Sequence, residues 1–428
     1  MSADNEPPEA PPRDRPFDPY RLPLSEAAKD VVADIINQLQ NYEVHLKLRK
    51  RKRRVADQGI FEATVSALVC DAIYHHLSTS QGGLAIPRSN RVLGSKNRYR
   101  SEVYGKTLPT ILDRLASHEM EFLEMVIGNE GFDSAGRQTV IRAGSRLVTR
   151  TEDHGITLAD IGKTNNGEVI RLRAAKRGRK DKGALMNYSD TSTTRRYREQ
   201  IQAINSWLAD ADIIFDETYV DRDDIDEHDR HLRRIFTNGS FESGGRLYGG
   251  FWQQLKKGER EDGIVIDHET IRILDYGQMC PRILYGLAYE TPPSDDAYLL
   301  PGFEDHRDGA KIIFNAMVSA TKPLFRMPQG VRQEFSRKTT ISDVTDAVIA
   351  AHPALVPFFH KGLVHKTQFI DSQIIIDVLL TLKERGIVAL PIHDAVVVPV
   401  SRKDETKEIM ETIFKSHTGV DGLVREEG

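Results

Sequence analysis

Two aspartates, Asp275 and Asp394, close short runs of strand-forming residues. Residues 264–267 and 270–275 flank His268-Glu269, and residues 387–390 and 396–400 bracket Pro391-Ile392-His393-Asp394, so each pair reads as a hairpin. If the hairpins share a sheet, the two carboxylates meet at neighbouring strand ends. That is the ligand set of a two-metal phosphoryl-transfer site, in which hard oxygen ligands bridge two divalent cations roughly 3.5–4 Å apart. A triphosphate substrate also needs fixed cations, and Arg307 and Lys311 stand one helical turn apart on one face. Each element is common by itself: His-Asp recurs at His228-Asp229, and an Arg/Lys pair at this spacing is most often a solvated helix face. Their order along the chain is what gives them weight.

The elements that must carry these groups follow from periodicity. Ala28, Val31, Val32, Ile35, Ile36 and Leu39 repeat at helical spacing behind Ser25, predicting a capped amphipathic helix over 26–46. Helices are also expected at 59–77, 105–128, 193–209, 279–289 and 371–385, the last stopped by Gly386, with short strands around 137–150 and 168–173. Tyr276, Ile283 and Leu284 read as packing residues, as do Tyr248, Phe251 and Trp252. Phe215-Asp216-Glu217-Thr218 reads as an acidic loop, since too few residues separate it from Arg246 to hold a nuclease sheet. Residues 1–24 are proline-rich and poor in large apolar side chains, which predicts a disordered tail.

The chain has 428 residues, 39% hydrophobic and 29% charged, enough for two or three domains. Its net charge of −4 conceals an asymmetry: residues 1–200 carry 33 Lys+Arg against 26 Asp+Glu, and the remainder 26 against 37. A basic half suits a polyanion, and an acidic half that handles polyanions needs divalent cations to mediate. The basic runs are Lys47-Leu48-Arg49-Lys50-Arg51-Lys52-Arg53-Arg54 and Lys176-Arg177-Gly178-Arg179-Lys180. Arg49, Lys50, Arg51, Lys52, Arg53, Lys176, Arg177 and Arg179 are candidates for phosphate-backbone contacts, against the plainer reading of solvated surface. Two cysteines far apart in sequence give no zinc or disulfide framework, and no apolar run is long enough for a membrane helix. A cytoplasmic protein is expected, associated with the nucleoid in a bacterium.

Between residues 240 and 400 a family resemblance emerges. Ser243-Gly244-Gly245-Arg246-Leu247, then Asp275-Tyr276-Gly277-Gln278-Met279-Cys280-Pro281-Arg282, then Arg307 with Lys311, Ser372-Gln373, and Ile392-His393-Asp394 resemble, in that order, the signature elements of the family A DNA polymerases and the related phage-type single-subunit RNA polymerases. The resemblance implies an α+β right-hand fold: a palm on an antiparallel sheet with fingers at about 290–385, both within 191–428, and a mainly helical thumb-like or accessory region over 25–190. It makes Asp275 and Asp394 the catalytic and metal-binding aspartates, helped by the Tyr276 carbonyl, with two Mg²⁺ ions for which Mn²⁺ is the substitute. It assigns Arg307, Lys311, Asn315, Gln278 and Cys280 to the nucleotide, and Arg246, His393, Ser372 and Gln373 to primer and template. The implied partners are a DNA primer-template or RNA–DNA hybrid and nucleoside triphosphates.

The departures bear on substrate. Cys280 stands where the DNA polymerases carry a glutamate that blocks a 2′-hydroxyl, Ala395 replaces the acidic residue after the second aspartate, and Asn315 and Ser319 occupy fingers positions expected to be aromatic. Four readings stay open: an exonuclease-free DNA polymerase, a primase or RNA polymerase, a terminal transferase, and a non-catalytic nucleic-acid-binding protein with a degenerate palm.

Overall fold

In a computed structural model, residues 14–78, 82–94, 97–128, 137–164, 167–178, 181–219 and 225–427 are described. The chain divides into two units, Met1–Glu168 with Val220–His228, and Val169–Tyr219 with Asp229–Gly428. The boundary therefore falls at 168/169, not at the expected 190/191, because the strand Ile170–Leu172 pairs in parallel with Leu232–Phe236 of the second unit.

The first unit is built on the helices Glu26–His45 and Val55–Leu77. The Ser25 hydroxyl accepts from the Ala28 N–H, satisfying a first-turn donor, and the apolar stripe of this helix enters the unit's core. Beside its helices the unit holds a four-stranded sheet of short strands, ordered Arg15–Pro16, Leu84–Ile86, Thr139–Ala143 and Leu123–Val126. The helix expected over 105–128 is accordingly shorter, Leu108–Leu115, and is followed by the last of these strands.

The expected tail is corrected as well. Residues 1–13 lie outside the described residues, but Arg15–Pro16 and Arg21–Pro23 are strands. Average composition hid three anchors. Phe17 is buried in the core, and Arg15 and Arg21 converge on the fully buried Asp71, at 2.7 and 3.6 Å. An unpaired buried carboxylate is costly, so Asp71 draws the proline-rich segment onto its helix.

The second unit mixes helix and sheet in the α+β manner. Its main sheet has six strands, all antiparallel. The central strand, Glu269–Tyr276, pairs along one side with Ala395–Pro399, which in turn pairs with the edge strand Leu390–Ile392. Along its other side lie Ile264–Ile266 at its start and Val424–Glu426 at its end. A three-stranded sheet, Gly244–Gly249, Leu232–Phe236 and Ile170–Leu172, stands beside the helix Val364–Glu384, seven residues longer at its start than the sequence pattern predicts. The helices Arg307–Ser319 and Ile341–Ala351 share a separate apolar cluster around Phe314, Val348 and Leu355. Tyr276, Ile283, Leu284, Phe251 and Trp252 are buried as expected, whereas Tyr248 is 41% exposed.

Candidate active site

The register of the central sheet sets the site. Asp275 pairs with Ala395, which brings Asp394, one residue earlier, beside the end of the central strand, and the Tyr276 N–H donates to the Asp394 carbonyl at 3.3 Å. Asp394 and His393 make a two-residue turn, with His393 at φ +57°. Pro391 is tolerated because it lies on the edge strand, where no donor is missed. Its carbonyl accepts from the indole N–H of buried Trp252 and from the Gln253 amide, each at 2.9 Å, which pins the hairpin from below.

A cavity of about 340 Å³ opens over this strand end. Asp275, Asp394, Arg246, Arg307, Lys311, Asn315, Gln278, Tyr276 and Cys280 all line it, nine of the twelve residues assigned from sequence to metal, nucleotide, primer and template. Burial, then the neighbouring Asp394 and Glu427, push the Asp275 carboxyl up to about 7, with Lys311 opposing. Two carboxylates crowded in this way are the environment that a bound cation relieves. Among the described residues no group of three or more His, Cys, Asp or Glu is arranged to hold a metal ion, so any ion here would rest on the two aspartates and backbone oxygen.

Arg246 reaches the cavity through a β-bulge: the pairing of Gly244–Gly249 with Leu232–Phe236 skips a residue between Gly244 and Arg246. Gly245 sits there at φ +86°, and a Cβ on it would lie 2.9 Å from the Ser372 hydroxyl. The Arg246 Nε donates to Asp371 at 2.8 Å, a terminal nitrogen donates to the same oxygen, and Asp394 is 4.0 Å away. Burial disfavours the guanidinium charge, but Asp371 and Asp394 more than restore it. Asp371 itself is 1% exposed, and its second oxygen has no hydrogen-bond partner. Burial raises its carboxyl to about 7, with Arg246 opposing and Asp394 reinforcing.

The other predicted residues divide. Arg307 holds Asp296 through two nitrogens at 2.8 and 2.7 Å, while Lys311 is exposed with no carboxylate partner among the described residues. The Gln278 side chain lines the cavity but accepts from the Ala297 N–H at 3.0 Å. The Cys280 thiol is half-buried, and burial pushes it up to about 12, so it presents a small neutral group. His393 stands outside the cavity lining, edge-on to Tyr248, and burial followed by Arg246 lowers its pKa.

Ser372 and Gln373 are also outside the lining. Both accept from the wholly buried Arg234, whose Nε donates to the Gly245 carbonyl at 2.9 Å, so they tie the helix to the bulged strand. The helix period explains the miss: the face that meets the cavity carries Thr367, Gln368 and Asp371 instead. A lone aspartate just before the apolar run Ile374-Ile375-Ile376 was the available signal for Asp371. Arg425, on the strand Val424–Glu426, also lines the cavity, and nothing local in the sequence marks it.

In the first unit, Lys50, Arg51 and Lys52 are exposed. Arg53 is not: it donates to buried Glu43 at 2.6 Å and stacks on Phe61 at 3.6 Å, which makes it an anchor of that loop. Arg49 stands 3.9 Å from Glu43. Lys176 and Arg177 are exposed, and Arg179 lies outside the described residues. Among the described residues no helix is long and apolar enough to cross a membrane.

No family model matches the chain, and no curated protein matches it. Among solved structures, the POL domain of Pol1 from M. smegmatis, in complex with DNA primer-template and dNTP, matches at a TM-score of 0.30 and 11% identity. That match covers 94% of this chain and 80% of the other.

Proposed function

We propose that this chain is a template-directed nucleotidyltransferase: a compact, exonuclease-free DNA polymerase that extends a primer 3′ end. The observation that carries the reading is the meeting of Asp275 and Asp394 at adjacent strand ends, in a cavity that also presents Lys311, Arg307 and Arg246. Held by Asp275, Asp394 and the Tyr276 carbonyl, two Mg²⁺ or Mn²⁺ ions would supply Lewis acidity and charge neutralisation at the transferred phosphoryl group. The chain's own residues position and neutralise. Lys311 meets the triphosphate directly, and Arg307 joins it by exchanging Asp296 for phosphate. Arg246, seated on Asp371, faces the primer end, and His393 stands at the turn beside it. The exposed cations of the first unit, Lys50, Arg51 and Lys52, contact backbone phosphate, a contact that carries no sequence information.

Ribonucleotide use, as in a primase or RNA polymerase, is the second reading, favoured by the small neutral Cys280 side chain on the cavity wall. Extension of a labelled primer with dNTPs or rNTPs separates the two, and omission of template exposes terminal addition. Asp275→Ala and Asp394→Ala are each expected to lower extension at least about a thousandfold while DNA binding stays within twofold or so. Extension retained by both variants would refute the assignment. Absence of incorporation by the native chain with either nucleotide set would leave the nucleic-acid-binding protein as the better description.

A further inference from the structure

Resting on the polymerase reading above, we infer that Arg425 binds the polyphosphate of the nucleoside triphosphate, and the pyrophosphate released from it, as a second free cation beside Lys311. The cavity's charges support this when they are paired off. Arg246 belongs to Asp371, and Arg307 belongs to Asp296. Lys311 and Arg425 are exposed and have no carboxylate partner among the described residues, although the cavity they line holds three aspartates. A nucleoside triphosphate brings about four negative charges, more than Lys311 alone can offset.

Register directs the side chain. Arg425 pairs across the sheet with Asp275, and directly opposed residues of antiparallel strands project to the same face. Its neighbour Val424 faces the core, which fixes the alternation. The Arg425 Nε lies beside Gly277, 3.4 Å from where a Cβ on that residue would stand. The nearby Arg282, 8% exposed, has an Nε without a hydrogen-bond partner, and its pKa is lowered by burial, with Asp421 opposing and the charge of Arg425 reinforcing. Neighbouring cations of this kind favour an anion between or over them.

The test uses the full chain and two variants, Arg425→Ala and Arg425→Lys. Because Arg425 is exposed, neither is expected to disturb folding. For Arg425→Ala, KM for dNTP and the inhibition constant for inorganic pyrophosphate should each rise about tenfold or more, the loss of one charge-assisted hydrogen bond. Arg425→Lys should fall between, and Kd for primer-template should not change. Unchanged KM and pyrophosphate inhibition, or a weakened primer-template Kd in their place, would overturn the inference. Binding of a fluorescent nucleoside triphosphate to the native chain separates the two levels. If the native chain binds none, the polymerase reading falls and takes this inference with it; if native and Arg425→Ala bind equally, only the Arg425 assignment falls.

Discussion

Replacing Asp371 with asparagine should make the stability difference from the native chain pH-dependent, with the variant faring better relative to the native chain at alkaline than at acidic pH. Asp371 is 1% exposed, one oxygen is satisfied by Arg246 and the other has no partner, so the folded state holds a poorly compensated charge. Burial raises its carboxyl from the ordinary 3.8 to about 7. A carboxyl whose folded pKa is raised binds more protons folded than unfolded, so its contribution falls as pH rises from about 4 to about 7 and then levels. Between about pH 5.5 and pH 8.5 the native chain should therefore lose roughly 2 kcal/mol through this group, at 1.36 kcal/mol per pH unit below 7. Asp371→Asn removes that loss and keeps the shape. Arg246 is left with Asp394, 4.0 Å away, so its position and primer extension should suffer, and the loss of its pairing to Asp371 offsets part of the gain at every pH. Urea unfolding of both proteins at the two pH values measures the difference, in which other titrating groups largely cancel. A stability difference that does not change with pH, or that moves against the variant as pH rises from about 5.5 to about 8.5, would refute the reasoning.

Cys280→Glu should lower rNTP use relative to dNTP about tenfold, read as the ratio of the two kcat/KM values; an unchanged ratio would mean that Cys280 does not meet the sugar. Glu43→Gln should destabilise the first unit by about 3 kcal/mol, because Arg53 and Arg114 both donate to this buried carboxylate. Limited proteolysis between the helices Glu26–His45 and Val55–Leu77, compared with the native chain, reports it, and unaltered cleavage would show that the cluster carries little stability.

Local chemistry determined much of this protein from sequence. The Ser25 cap and the apolar stripe behind it specify a helix within one residue of its end, since both act within a few residues of the chain. The β-rich runs around His268-Glu269 and His393-Asp394 likewise give antiparallel hairpins that carry Asp275 and Asp394 to one sheet. Only the tertiary structure decided what depends on partners distant in sequence. Residues 14–23 are ordered by Asp71 and by burial of Phe17, neither of which a compositional average registers. Helix phase turned Ser372 and Gln373 toward Arg234 and set Asp371 against Arg246, a choice made by packing on the strand Gly244–Gly249 and not by the order of residues in a motif. Arg425 meets Asp275 through a pairing that spans 150 positions of sequence, and no local pattern encodes such a register; burial of Val424 against the core fixes it.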